Sequence, residues 1–584
     1  MDHRTSFFEL PERLRSWQAL IPYGILLSIT LAVYGATVHF QFVWDDAYYI
    51  GRNFPIQELS LERLGAIWTG TYLGHYAPVN LTFLALVHAV FGMEPFGYHL
   101  AQLLLHAACL CLLYRLLCRM ESPRIAFLAS LLFAVYPPNI ETVAWVSESK
   151  STLALLFFLL SFGFFLRLRE AGQGADSFRW GFWCGFFLLL SMLSKINTVV
   201  APAVFLLWDY RQGTLTKDRL RSLAAFFLLS AAFVGIHLLS FYGSAETGGA
   251  SYYLSVWVHL MNLPRFVWFY AQMIVFPHPV SAWRMFPIYE AWNWTLVGAW
   301  AALLGLLWLI SRGNRAAQFW GLWFLGFLAP VLQIFPFGIW VADRYLYIPA
   351  IGAFVLAGLG FFRIRDRARN LAGSGALDLA MASALLLLGW SAAVHVPVWR
   401  NNVALWEATT PGCDTSAYCH VSLGAALLEN GQTERGMREL IRAVELRDAT
   451  DYLMRLGDAY TTYARDYRQA LAAYNAALSK TPIPMRAELY GKLARAHFLA
   501  GDFPQARRAL AAGMESNARE PSRWAVQAFL SWKEGNLAEA REALGQALLL
   551  AGEPPDVGGY LYGVWGNGSE VRQLLRALRL AENP

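Results

Sequence analysis

The chain has 584 residues, 57% of them hydrophobic and only 15% charged, against the roughly 25% charge of an ordinary soluble protein. Its net charge of +6 is small and is scattered over short segments between apolar runs, so it lacks the continuous basic face of a nucleic-acid binder. The length predicts more than one domain, and the surplus of aliphatic and aromatic residues is what lipid-facing helices require.

In chain order, eleven apolar stretches predict membrane-spanning helices, near residues 20–40, 97–114, 125–138, 151–166, 180–193, 197–208, 222–241, 294–311, 317–335, 345–362 and 376–396. No small-residue cleavage site follows the first, so a removable signal peptide is not expected. Basic residues near span ends mark the cytoplasmic side. They cluster at Arg4, Arg13 and Arg15, at Arg115, Arg119 and Arg124, at Arg167, Arg169 and Arg179, and at Arg211, Lys217, Arg219 and Arg221. Further on come Arg312 and Arg315, then Arg363, Arg365, Arg367 and Arg369. With the N-terminus inside, all of these fall on one side, provided the apolar stretch 256–277 is re-entrant or lies along the outer surface. The odd number of spans then places the C-terminal part outside the cytoplasm.

The opposite loops carry a different set of residues. The first, about 41–96, holds Asp45, Asp46, Arg52, His75 and Tyr76, and the second holds Glu141, Glu148 and Lys150. Lys195 lies in a tight turn, Arg265, His278 and Arg284 lie within 242–293, and Asp343 and Arg344 precede the tenth span. A charge costs about 2.5–3.5 kcal/mol at a membrane helix centre and less near an end. Their convergence on one side predicts a single site at the outer membrane boundary, although any one of them alone reads equally well as a loop charge or a snorkelling side chain.

Within Phe42-Val43-Trp44-Asp45-Asp46-Ala47-Tyr48-Tyr49-Ile50, two adjacent carboxylates sit in an aromatic setting. Mutual repulsion and lost hydration both raise a carboxyl pKa and favour acid–base work. Neighbouring side chains point in different directions, so one Asp faces a reaction and the other anchors the loop or an acceptor. The other reading is a helix N-cap pair.

The composition changes near residue 397. The predicted organisation is a membrane domain over 1–397, a connector over 398–415 and a repeat domain over 416–584. Four helical-pair repeats align by small residues: Gly424, Gly431, Gly436 and Ala443; Gly457, Ala470 and Ala477, with a longer turn; Ala494, Gly501, Ala506 and Gly513; and Ala528, Gly535, Ala540 and Ala547. The Gly in the second of these positions ends the first helix of its pair. Such arrays bind extended peptides or protein surfaces, or serve as spacers. Cys413 and Cys419 are able to pair if the region lies in an oxidising compartment, whereas Cys109, Cys111, Cys118 and Cys184 read as small core residues. His75, His99, His106, His259 and His278 show no metal-ligand spacing. The expected fold is all-α, a polytopic membrane bundle followed by a tetratricopeptide-type solenoid.

Several motifs together resemble the family of transmembrane and tetratricopeptide-repeat O-mannosyltransferases and their bacterial relatives, which have the GT-C glycosyltransferase fold. They are Val43-Trp44-Asp45-Asp46-Ala47-Tyr48-Tyr49-Ile50-Gly51-Arg52-Asn53, Phe96-Gly97-Tyr98-His99 with Leu105-His106, and Ala134 to Ser147, which contains Tyr136-Pro137-Pro138-Asn139. Leu193-Ser194-Lys195, Ala342-Asp343-Arg344-Tyr345 and Trp399-Arg400-Asn401-Asn402 follow in the family's order. The chain departs from the family pattern at His75-Tyr76-Ala77-Pro78, at Asp343 where Glu is usual, and at Glu148-Ser149-Lys150 in place of Gly-Arg-Lys.

The resemblance implies a polyprenyl-phosphate-linked sugar as donor and a protein Ser or Thr hydroxyl as acceptor, with inversion. Asp45 is the expected general base and Asp46 the positioning carboxylate. Lys150, Lys195, Arg265, Arg284 and Arg344 are candidates for holding the donor phosphate, Lys195 and Arg344 foremost. His75, Tyr76, Glu141 and Asp343 are candidates for acceptor or loop positioning. Cationic side chains alone suffice for a phosphate leaving group, so no cofactor is required, and a divalent metal is compatible. The alternatives are transfer to a lipid or glycan, or a non-enzymatic membrane-anchored repeat scaffold. The location expected is a bacterial inner membrane with the repeats in the periplasm, or the endoplasmic reticulum membrane with the repeats in the lumen.

Overall fold

The computed structural model describes residues 17–51, 53–171, 174–243, 255–277, 280–334, 338–368, 374–482, 486–516, 521–552, 557–565 and 568–579. Arg4, Arg13, Arg15, Arg52, His278 and Arg369 fall outside them. The described residues form helices and turns without a strand, apart from an isolated bridge between Tyr72 and His75. They divide into two compact units, residues 1–405 and 406–584.

Each of the eleven predicted stretches contains a helix. In the first unit they correspond to α1 (Ile21–Tyr34, continued by a 3-10 turn to His39), α5 (Pro95–Met120), α6 (Pro123–Val135), α8 (Ser149–Glu170), α9 (Ala175–Ser194), α10 (Ala201–Gln212), α11 (Lys217–Gly243), α13 (Trp294–Arg312), α14 (Arg315–Leu328), α15 (Pro349–Ala368) and α16 (Ser374–His395). Among the described residues six segments are individually long and apolar enough to cross a membrane: Ile21–His39, Pro95–Met120, Val146–Glu170, Lys217–Leu239, Trp294–Arg312 and Ser374–Trp399. The chain is a multi-pass membrane protein. Proline opens α5 and α6 at the first helical position, where its missing N–H leaves no intrahelical bond unmade.

Two regions gain detail from the structure. The stretch 41–96 is not a plain loop, because it folds into α2 (Phe54–Gln57), α3 (Leu61–Thr69) and the apolar α4 (Pro78–Phe91). At 14 residues α4 is short for a span, which is why its apolarity did not separate it from the loop. The stretch 256–277 forms a continuous 20-residue helix, α12 (Val256–Val275), with Pro264 buried inside it. A short helix, α7 (Asn139–Ala144), sits between α6 and α8.

The two ends of the bundle are chemically unlike. At the C-terminal end of α8, Arg169 and Arg219 share the buried Asp209 of α10, Arg211 pairs with Glu121, and Arg119 reaches Glu170. Basic residues read as cytoplasmic therefore gather at one end. Helix α8 has 22 residues, about 33 Å at 1.5 Å per residue, comparable to a bilayer's hydrocarbon thickness. Its N-terminal end begins at Ser149, beside Glu148 and Lys150. Between the ends lies an aromatic core in which Phe158 packs edge-on to Trp323 and Phe327, and Phe165 stacks on Phe205 at 4.4 Å. Such packing rigidifies neighbouring helices without any polar group left unpaired.

In the second unit, α17 (Asn402–Thr409) runs in from the first. It leads to the pairs α18 (Ala417–Glu429) with α19 (Thr433–Leu446), α20 (Thr450–Ala459) with α21 (Tyr467–Lys480), α22 (Ala487–Leu499) with α23 (Phe503–Ser516), and α24 (Pro521–Lys533) with α25 (Leu537–Leu550). A fifth, shorter pair follows, α26 (Val557–Trp565) and α27 (Gly568–Ala577). Gly431, Gly501 and Gly535 have φ of 78°, 82° and 84°, the left-handed geometry that ends a helix at little cost in glycine. In the second repeat Arg465 takes this conformation after a π-turn over Tyr460–Ala464, which accounts for the longer turn. Cys413 and Cys419 form a disulfide at the head of the array. Helices α18 and α19 cross where a Cβ on Gly436 would stand 2.8 Å from the Gly424 carbonyl oxygen. Gly436→Ala is therefore expected to destabilise the repeats by about 1–3 kcal/mol, read as a lowered unfolding midpoint. Gly545→Ala, which meets open space, should leave the midpoint unchanged or slightly raised.

Candidate active site

The loop after α1 is held from both sides. Gln41 N–H donates to the Arg400 carbonyl at 3.0 Å, and Trp44 N–H donates to Asn402 Oδ1 at 2.8 Å. Trp44 has φ of 53°, a left-handed conformation uncommon outside glycine. Its indole stacks on Trp145 at 4.5 Å and 10°, and Trp145 in turn faces Trp399 at 5.8 Å.

The paired aspartates meet different surroundings. Asp46 is fully buried. One of its oxygens accepts from Val43 N–H at 3.0 Å, and the other accepts from Ser147 N–H at 2.8 Å and from the Ser147 hydroxyl. Its carboxylate thus closes the loop on itself and ties it to the start of the 146–148 turn, instead of capping the helical turn that follows. Burial pushes its pKa up to about 7, against the pull of these hydrogen bonds. The Asp45 carboxylate has no hydrogen-bond partner among the described residues and is only partly buried. Burial raises its pKa above the ordinary value, while the nearby charges of Lys150 and Arg344 pull it back.

Glu148 is the hub of the charges. It is 1% exposed. Its carboxylate receives the Lys195 ammonium at 2.8 Å and the Ser151 hydroxyl, and it pairs with Lys150 at 3.5 Å and with Arg344 Nε at 3.4 Å. Lys195 also donates to Ser151 Oγ at 2.8 Å. Burial pushes the Lys195 ammonium down to about 8, opposed by Glu148. Arg344 is gripped a second time by Glu141, through its side chain and, at 2.8 Å, through its backbone N–H. The neighbouring Asp343 receives Arg284 in a two-point contact at 2.6 and 2.9 Å. The Lys150 ammonium lies 5.0 Å from the Tyr49 ring centre, and the Arg344 guanidinium lies 5.4 Å from that of Trp145. A small cleft, lined by Ser151, Lys195, Asn197, Phe327, Arg344 and Tyr345 among others, lies beside this cluster.

The remaining candidates are held by other partners. Arg265, on α12, donates to Asn262 Oδ1 at 3.0 Å and to the Pro287 carbonyl, between the Phe286 and Tyr289 rings. His75 closes a tight turn with Tyr72, is exposed, and lies where the charges of Lys150 and Lys195 reach it. Tyr76 donates to the Trp68 carbonyl at 3.0 Å. His106 meets the Tyr347 hydroxyl at 2.8 Å, and His99 and His259 are buried separately. Among the described residues no group of three or more His, Cys, Asp or Glu is arranged to hold a metal. The sequence marks Glu148 only as a loop charge in a motif that departs from the family pattern, carries Ser147 and Asn402 within motifs without giving them a role, and gives no sign of Ser151. The partners of these residues lie up to 358 positions away, and only packing brings them together.

Residues 75–237 match the family model described as dolichyl-phosphate-mannose-protein mannosyltransferase, and residues 462–530 match a tetratricopeptide-repeat model. The first match takes in Glu141, Glu148, Lys150 and Lys195 and leaves Asp45, Asp46 and Arg344 outside. Protein O-mannosyl-transferase TMTC4 of Mus musculus is 25% identical over 482 residues, covering 69% of this chain and 63% of the relative. The Homo sapiens TMTC4 protein is 26% identical over 490 residues, covering 70% and 64%. Protein O-mannosyl-transferase TMTC2 of Mus musculus is 30% identical over 251 residues, covering 39% and 28%. The chain thus spans slightly under two thirds of the length of the TMTC4 relatives. Among solved structures, ArnT from Cupriavidus metallidurans bound to undecaprenyl phosphate is similar at 15% identity and a TM-score of 0.39, covering 87% of this chain and 89% of that one. The resemblance carried by the motifs is shown: the chain is similar to O-mannosyl-transferases through its membrane part and carries tetratricopeptide repeats after it.

The anchoring of Asp46 yields a direct test. In Asp46→Asn the side-chain amide replaces one acceptor, and turned toward Val43 it sets donor against donor. Leaving that buried N–H unsatisfied costs about 1–3 kcal/mol, so the variant is expected to unfold at lower temperature than both wild type and Asp45→Asn.

Proposed function

We propose that the protein is a membrane glycosyltransferase that moves a sugar from a polyprenyl-phosphate carrier to a Ser or Thr hydroxyl of a protein, at the non-cytoplasmic face and with inversion. The observation that supports this best is one arrangement. The Asp45 carboxylate, without a hydrogen-bond partner among the described residues, lies within reach of the charges of Lys150 and Arg344, which with Lys195 surround Glu148 beside a small cleft. A hydroxyl is a poor nucleophile until its proton is taken. Asp45 accepts that proton as the acceptor oxygen bonds to the anomeric carbon. The bond from that carbon to the phosphate oxygen breaks, and its electron pair leaves with the lipid phosphate. Fixed cations stabilise the growing charge best where water is scarce. Arg344, locked between Glu141 and Glu148, offers a rigid donor set.

The names of the relatives favour a protein acceptor and make mannose the first sugar to test. The repeats are read as recruiting that acceptor. The Cys413–Cys419 disulfide favours an oxidising compartment such as the periplasm or the endoplasmic reticulum lumen, on the side opposite the arginine clusters.

The test is transfer from a panel of synthetic polyprenyl-phosphate sugars to secreted proteins. Asp45→Asn is expected to lower kcat by about 10²–10⁴-fold, the usual worth of a general base, with little change in stability. Transfer equal to wild type would move the base elsewhere, and no transfer by folded wild type with any donor would favour the scaffold reading. The pH dependence has a defined sign. Asp45 works ionised, and its raised pKa places the acid limb above the ordinary carboxylate range. The Lys195 ammonium is lost as pH rises through about 8, so the alkaline limb of the bell lies there and moves upward in Lys195→Arg.

A further inference from the structure

We propose that Glu148 is a product-release residue, a fixed carboxylate that competes with the departing lipid phosphate for Lys150, Lys195 and Arg344. This rests on the donor reading above. The two oxygens of Glu148 are not equivalent. Oε2 is fixed by the Lys195 ammonium at 2.8 Å and by the Ser151 hydroxyl. Oε1 stands 3.5 Å from Lys150 and 3.4 Å from Arg344 Nε and completes a hydrogen bond with neither. The cluster therefore has one committed side and one loose side, where two cations keep donors for another anion. The small cleft lined by Ser151, Lys195 and Arg344 lies beside it.

The charge change on reaction gives this carboxylate its role. A sugar joined through phosphate to a lipid is a diester with one negative charge. Once the sugar leaves, the monoester carries up to two near neutral pH. Three cations alone would hold the product more tightly than the substrate, and turnover would stall on it. A buried carboxylate fixed among them repels the dianion about twice as strongly as the monoanion, because Coulomb energy scales with the product of charges. Glu148 keeps the three cations assembled while the site is empty, so release of product returns them to a partner already in place.

The experiment measures undecaprenyl phosphate binding to the purified full chain in detergent, for wild type, Glu148→Gln and Glu148→Asp. Glu148→Gln is expected to bind it about tenfold more tightly than wild type and to show a correspondingly lower inhibition constant in the transfer assay, while the KM for donor falls by a smaller factor. Glu148→Asp keeps the charge but is one methylene too short to meet Lys150 and Lys195 together, and is expected to bind about threefold more tightly. It serves as the test if the Gln variant does not fold. Binding that is unchanged or weaker in the folded variants would overturn the proposal and leave Glu148 as a brace for its cations. Absence of binding by the wild type as well as the variants would instead overturn the donor reading on which the proposal rests.

Discussion

A carboxylate removed from water and surrounded by three cations is the constraint from which the rest of the membrane unit follows. Each buried charge costs several kcal/mol in lost hydration, recovered only while its partners stay at contact distance. Glu148 can be buried only if Lys150, Lys195 and Arg344 are delivered to it, and they come from the start of α8, the turn before α10 and the segment before α15. Arg344 extends the net to Glu141 on α7, and its neighbour Asp343 extends it to Arg284. Segments far apart in sequence are thereby pinned to one another by charge, with the Trp44, Trp145 and Trp399 rings closing one side. Loosening any member leaves its partners buried with fewer of their charges matched.

The same helices that converge on this net carry arginines at their other ends. There the problem of charge near lipid is solved differently: Asp209 is shared by Arg169 and Arg219, and Glu121 takes Arg211. The end with these pairs is net basic, while at the other end cations and carboxylates are closely matched. The aromatic layer around Phe158, Phe162 and Trp323 lies between them and carries no charge. The length of α8 holds the two chemistries apart.

What was legible in the sequence is what depends on local pattern. Hydropathy placed the helices, and glycines at equal offsets marked the helix ends at Gly431, Gly501 and Gly535. The reading thinned where the signal was short or non-local. Helix α4 is apolar but too brief to be told from its loop, and the pair α26–α27 breaks the small-residue spacing of the earlier repeats. Arg265 and Arg344 look alike in sequence, each a single arginine in a segment read as lying between spans. One sits between Phe286 and Tyr289 on a backbone carbonyl, the other between two buried glutamates. No local property of either residue carries that difference, because it is made by what folds against them.

The aspartate pair shows how a small backbone distortion can divide labour between neighbours. A left-handed residue that is not glycine costs roughly 1–2 kcal/mol, and Trp44 is held there by its hydrogen bond to Asn402 and its stack on Trp145. The chain turns sharply at this point, with Asp46 N–H returning to the Val43 carbonyl and the Asp46 carboxylate to the Val43 N–H. Asp46 is thereby directed into the protein, onto Ser147, and is consumed as a fastening. The carboxylate of Asp45, one residue earlier, has no hydrogen-bond partner among the described residues and lies in the field of Lys150 and Arg344. Two identical side chains thus acquire unlike chemistry from one strained φ, and the indole that imposes it is the same ring that roofs the arginine.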